Sequence, residues 1–63
     1  MDAPVATFVD SYLEHVGFPP SPRNQSRVLE TLMIYPKFAA PGEDRIHFLD
    51  RLIRNFPDSD LAQ

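Results

Sequence analysis

Side chains suited to reading nucleic-acid bases are concentrated between residues 23 and 27. Arg, Asn and Gln each make paired hydrogen bonds to the edges of guanine or adenine, and the sequence offers Arg23, Asn24, Gln25 and Arg27. A helix-turn-helix protein presents the first turns of its second helix to the major groove. These four residues therefore form a candidate DNA-binding surface. The alternative is that they are the solvated first turn of an ordinary surface helix.

The segment before these residues adds a second, short likeness. Gly17-Phe18-Pro19-Pro20-Ser21, followed by Arg23, resembles the start of the DNA-binding domain of LexA-type repressors. The resemblance implies a helix-turn-helix and DNA binding, but it covers fewer than ten residues, and the helices of that family are spaced more closely. We interpret it as the same helix-capping residues used in both sequences.

A second group of polar residues surrounds His47. Asp44 and Asp50 lie three residues to either side, so all three side chains share one face of a helix. This pattern is half of a carboxylate–histidine metal site, which a symmetric dimer would complete. One chain supplies too few ligands, so we predict no metal and interpret His47 as a surface histidine between two acids.

Apolar residues outside the predicted core form the other candidate site. Ile34, Phe38 and Phe48 fall off the apolar helix stripes, and Met33 lies at the edge of one. Aromatic residues and Met are enriched at protein interfaces. The predicted protein-binding residues are Met33, Ile34, Tyr35, Lys37, Phe38 and Phe48. The alternative is that the loop around Phe38 folds back and covers the core.

Composition argues against catalysis and against strong phosphate binding. The chain has no Cys and two Gly, so it lacks a thiol nucleophile, a disulfide and a Gly-rich phosphate loop. Nine acidic and six basic residues give a net charge of −3, whereas nucleic-acid binding favours clustered Lys and Arg. We therefore expect no enzyme activity and no cofactor.

Three helices are predicted to position these residues. Seven prolines divide the 63-residue sequence, and between them apolar residues recur at steps of three and four, which predicts helices at about residues 3–16, 21–34 and 42–55. Asp2 and Ser21 are the predicted N-caps of the first two helices, and Gly17 followed by Phe18 is the predicted end of the first. The fold class is all-α, a compact three-helix domain with a helix-turn-helix-like arrangement as one option.

The short chain limits the stability that one core supplies. We expect residues 1–57 to form a single domain, 58–63 to form a polar C-terminal tail, and the chain to gain stability as a homodimer or on a partner. The sequence shows no apolar stretch of about 20 residues for a membrane span, no basic start typical of a signal peptide and no Cys, which together favour the cytoplasm.

Two functions follow from these patterns. The first is a small non-enzymatic regulator (an inhibitor, adaptor or antagonist) that binds a larger protein and occludes part of its surface. The second is a dimeric helix-turn-helix transcriptional regulator that reads DNA with the start of its second helix.

Overall fold

The computed structural model describes residues 3–55 and 61–63, and it confirms the all-α class. The helices are α1 (Ala3–Val16), α2 (Pro22–Met33), α3 (Tyr35–Phe38) and α4 (Arg45–Leu49), and α4 continues into a π-helical segment, Asp50–Arg54. These residues include no strand. The predicted N-cap Asp2 lies outside the described part of the chain.

Helix α1 ends as the sequence predicts. Gly17 has a φ of +87°, a conformation that favours glycine because it has no Cβ. The N–H of Phe18 donates to the carbonyl of Leu13 at 2.9 Å, and the N–H of Gly17 donates to that of Glu14 at 3.1 Å. This pair of bonds is a Schellman motif, and it brings Phe18 back against the core.

The connection between the second and third long helices differs from the prediction. Ser21 caps α2 by accepting a hydrogen bond from the N–H of Asn24 at 3.3 Å, but after Ile34 the chain forms the extra helix α3 rather than a loop. A proline disfavours the helical conformation of the residue before it, so Pro36 predicts a break at Tyr35. Instead Pro36 lies in the first turn of α3, where its missing N–H leaves no helical hydrogen bond unmade.

The last helix begins later than predicted and changes its hydrogen bonding. The prediction started this helix at about residue 42, whereas the N-cap of α4 is Asp44, whose carboxylate accepts from the N–H of His47 at 2.8 Å. Beyond Leu49 the turns widen, and the N–H of Asn55 donates to the carbonyl of Asp50 at 2.8 Å. This i to i−5 bond is the π-helical pattern.

The core lies where α1, α2 and the last helix meet. Among the described residues, a cluster of buried apolar side chains fills it: Val9, Tyr12, Leu13, Val28, Leu49 and Ile53. Phe48 is also fully buried. Tyr12 donates its hydroxyl to Asp50 Oδ1 at 2.9 Å. Burial and this acceptor both raise the pKa of the Tyr12 phenol far above its usual value, so the phenol stays protonated and donates.

The C-terminal residues do not form a tail where the structure describes them. Leu61 packs against the core, and the backbone of Ala62 is hydrogen-bonded to the Asn24 side chain. The prediction of a polar tail is therefore wrong for residues 61–63, because an apolar contact and a buried amide hold them in place. Residues 58–60 lie outside the described residues.

The described helices are between 4 and 14 residues long. Within residues 3–55 and 61–63, none of them combines the length and apolar character that a bilayer span requires.

Candidate functional site

Three large apolar side chains are exposed at the junction of α2 and α3. Met33 is 72% exposed, Ile34 40% and Phe38 64%. We call these three residues the α2–α3 edge. The N–H of Phe38 donates to the carbonyl of Ile34 at 3.0 Å, so these two residues lie one helical turn apart. Exposed apolar side chains that form a contiguous patch mark an interaction surface.

A polar cluster centred on Glu43 fixes the backbone that carries Phe38. Arg51 donates from Nε and Nη2 to the Glu43 carboxylate at 3.1 and 3.0 Å, and Nη2 also lies 3.3 Å from the carbonyl oxygen of Phe38. The N–H of Ala40 donates to Glu43 Oε1 at 2.9 Å. Tyr35 donates its hydroxyl to the Glu43 carbonyl. The cluster therefore joins α3 to α4 and holds the α2–α3 edge in position.

Phe48 does not belong to the exposed surface, contrary to the prediction. It is fully buried; its ring stacks on Tyr35 with centroids 5.4 Å apart, and the Arg51 guanidinium carbon lies 5.4 Å from its centroid. Phe48 lies off the stripe of its own helix, but α3 covers it from another side. Tyr35 is half-buried by the same stacking, whereas Lys37 is exposed.

An apolar groove runs between α1 and α2 and reaches the α2–α3 edge at Met33. Its volume is about 540 Å³. We call it the α1–α2 groove; it is lined by Pro4, Val5, Phe8, Leu29, Leu32, Met33 and Arg45. Of these described residues only Arg45 has an ionisable side chain. Sequence patterns identified the residues as apolar but did not predict the groove.

Arg45 also borders a second depression beside the groove. Its lining includes Leu32, Tyr35, Pro36 and Asp44. The guanidinium carbon of Arg45 lies 6.0 Å from the centre of the Tyr35 ring, within reach of a cation–π interaction. Asp44 is already engaged as the cap of α4. Arg45 is therefore a cation beside an aromatic ring, and it lines both the apolar groove and this second depression.

The predicted DNA-reading residues are not all available to a ligand. Asn24 is fully buried, so the prediction that it reads a base is wrong: its amide is used to join Pro19 and Ala62. Gln25 donates to Asp10 Oδ1 at 2.8 Å.

The two arginines of that set remain at the surface of α2. Arg23 is exposed and Arg27 is half-buried. They line a shallow depression together with Ser26 and Glu30, and the Arg27 guanidinium donates to the Thr31 hydroxyl. DNA binding by these residues stays a prediction.

The His47 triplet is dispersed among separate contacts. His47 pairs through Nδ1 with Glu43, Asp44 caps α4, and Asp50 accepts from Tyr12. Among residues 3–55 and 61–63, no group of three His, Cys, Asp or Glu is placed to hold a metal ion.

Comparison with known proteins does not extend this description. No protein family, curated protein or solved structure matches the chain significantly.

The Glu43 cluster gives a testable pH dependence. The hydrogen bonds from Arg51 and Ala40 lower the pKa of Glu43 from 4.5 to about 2. Between those two values the unfolded state binds more protons, so stability falls as pH drops through this window. We expect the Glu43→Gln variant to lose less stability than the native chain between pH 4.5 and pH 2, measured by urea unfolding.

Glu14 provides the matched control for that experiment. It is exposed on α1, and its substitution by Gln removes the same carboxylate from outside the cluster. We expect Glu14→Gln to keep the acid dependence of the native chain. An identical acid dependence in the Glu43→Gln variant would show that Glu43 does not carry it.

Proposed function

We propose that this chain is a small, non-enzymatic regulator that binds a larger protein and occludes part of its surface. The observation that carries the proposal is the α2–α3 edge, where Met33, Ile34 and Phe38 expose large apolar side chains on consecutive positions and one turn apart. A free protein gains nothing from this arrangement, whereas a partner that covers it removes apolar surface from water.

The surroundings of the edge support the same function. The edge adjoins the α1–α2 groove at Met33, so apolar surface continues from exposed side chains into a concave region. Interfaces combine apolar anchors with a polar rim, and Lys37 and Arg45 are exposed charged residues beside these anchors. We propose that the partner covers both the α2–α3 edge and the adjoining groove.

The homodimer expected from the size of the chain remains a proposal of its own. Light scattering at several protein concentrations tests it. A dimer that forms without the α2–α3 edge leaves that edge available for a partner protein, whereas a dimer that requires Met33 and Phe38 would identify a second copy as the molecule that covers them.

The central test introduces a charge at the edge without disturbing the core. Phe38→Asp and Met33→Asp place a carboxylate at side chains that are 64% and 72% exposed. We expect each variant to keep the helical circular dichroism of the native chain. We expect each to retain less than about a tenth of the partner in a nuclease-treated pull-down, since burying an unpaired charge at an interface costs more than 1.4 kcal/mol.

Ser11→Asp is the control for this experiment, because Ser11 is exposed on α1 and does not line the groove. We expect it to capture the partner as the native chain does. Undiminished capture by both edge variants would refute the proposed surface. Capture that disappears with nuclease would instead favour the DNA-binding alternative, and a gel shift with an Arg27→Ala variant would follow.

A further inference from the structure

The α1–α2 groove has a shape that restricts what occupies it. Apolar residues line it along both helices, with Pro4 and Phe8 four residues apart on α1 and Leu29 and Met33 four residues apart on α2. These spacings place the members of each pair on one helix face. Two such rows with a depression between them are the receiving half of helix-against-groove packing.

Other modes of recognition fit the groove less well. A small molecule is usually buried over 70–90% of its surface, but Pro4, Met33 and Arg45 at the boundary of this groove are exposed to solvent. Addition of a β-strand needs a sheet edge, and the described residues contain no strand. Proline-rich peptides need an aromatic-lined groove, and Phe8 is the one aromatic residue among those that line this one.

The charge of Arg45 and of the whole chain restricts which partner helix fits the groove. Arg45 is the one ionisable residue among the described residues that line the groove, and its guanidinium carbon lies 6.0 Å from the centre of the Tyr35 ring. A guanidinium makes paired hydrogen bonds with a carboxylate. The net charge of −3 disfavours a partner that is acidic as a whole, so the acidic residue belongs on a helix that is otherwise neutral or basic.

We propose that the α1–α2 groove binds an amphipathic helix of a partner protein, with apolar residues at i, i+3 or i+4 and i+7 in the groove and one Asp or Glu paired with Arg45. This inference rests on the proposed function, since it names the chemistry of the partner that the chain binds. Met33 at the groove boundary suits this role because its flexible side chain adapts to different apolar surfaces.

Selection from two peptide libraries tests the proposal directly. The complete chain is immobilised and offered 16-residue peptides displayed as a helix on a rigid scaffold, and in parallel unstructured peptides of the same length. We expect binders from the helical library, enriched in the apolar spacing above and in one acidic residue. Enrichment only of unstructured peptides, or of none, would overturn the proposal.

A charge cycle then locates the acidic residue of the best helical peptide. We expect Arg45→Gln to weaken its binding about tenfold, and we expect Arg45→Glu to bind the peptide in which Arg replaces the acidic residue better than the original peptide. Arg54→Gln is the control, because Arg54 is also an exposed arginine but does not line the groove. Equal effects of the Arg45→Gln and Arg54→Gln substitutions would contradict the pairing.

The outcomes distinguish this inference from the proposed function. If the edge variants abolish capture of the native partner but no helical peptide binds, the groove does not take a helix and the protein-binding function stands. If the edge variants capture the partner normally and no helical peptide binds, both proposals are wrong. A dimer that Met33→Asp dissociates would show that a second copy covers the groove, which overturns the helical partner.

Discussion

Replacement of Phe48 by Ala is expected to remove a large part of the protein's stability. Phe48 is fully buried against Tyr35, and truncating a buried Phe to Ala costs about 3–5 kcal/mol. At about 0.05–0.15 kcal/mol per residue, a chain of 63 residues has a total stability of about 3–9 kcal/mol. We therefore expect a melting temperature lowered by more than about 12 °C, measured by circular dichroism.

Phe38→Ala is the matched control, since it makes the same chemical change at an exposed ring. Its side chain is 64% exposed, and the Arg51 hydrogen bond nearby is made to the backbone carbonyl of Phe38 and not to the ring. We expect a change within about 0.5 kcal/mol. Similar losses in the two variants would contradict the assignment of Phe48 to the core and Phe38 to the surface.

The parts of the fold that local chemistry determines were predictable from the sequence. Gly17 ends α1 because a residue at φ +87° favours glycine, and Ser21 with Pro22 begins α2 because both suit the first turn of a helix. These are interactions among residues within a few positions of each other. A single sequence therefore contains the information that they need.

The region from Tyr35 to Phe48 was predicted less well because its structure depends on distant contacts. Proline at position 36 is compatible with either a loop or the first turn of a new helix, and the Glu43 cluster, which ties α3 to α4 through Arg51, is formed by residues that no periodic pattern connects. A helical stripe also describes only one helix. It identifies Phe48 as off the stripe but does not reveal that α3 covers it.

The candidate site was likewise predictable only in part from the sequence. Met33, Ile34 and Phe38 fall off the apolar stripes or at their edge and are exposed, but Phe48 also falls off its stripe and is buried, so the stripes alone did not decide exposure. The α1–α2 groove was not predictable, because its existence depends on how α1 and α2 pack and on where Arg45 falls beside them. The one signal in the sequence was that Pro4, Phe8, Leu29 and Met33 are each apolar at helical spacing, which is equally consistent with burial.

Asn24 shows how a polar residue that suggests recognition serves the fold instead. Its Nδ2 donates to the carbonyls of Pro19 and Ala62 at 2.9 and 2.7 Å, and its Oδ1 accepts from the N–H of Ala62 at 2.9 Å. All three hydrogen bonds go to backbone groups, one before α2 and two near the C-terminus. Asn24 thus connects three parts of the chain that lie far apart in sequence.

Loss of this amide is expected to destabilise the protein and release its C-terminal residues. Asn24→Ala leaves buried backbone groups without partners, which costs about 1–3 kcal/mol. Asn24→Asp is expected to cost more at pH 7, because a buried carboxylate would face two carbonyl oxygens. Part of that extra loss should be recovered at lower pH, where the carboxyl group is protonated and donates again.

Urea unfolding measures the stability of these variants, and hydrogen exchange of the Ala62 amide reports the C-terminal contact directly. We expect exchange at Ala62 to accelerate in both Asn24 variants and to remain slow in Gln25→Ala, which loses only a side-chain bond to Asp10. If Asn24→Ala left stability and exchange unchanged, the amide would not hold residues 61–63, and its availability for DNA would have to be considered again. Unfolding by Asn24→Asp but not Asn24→Ala at pH 7 would isolate the cost of the buried charge from the cost of the missing hydrogen bonds.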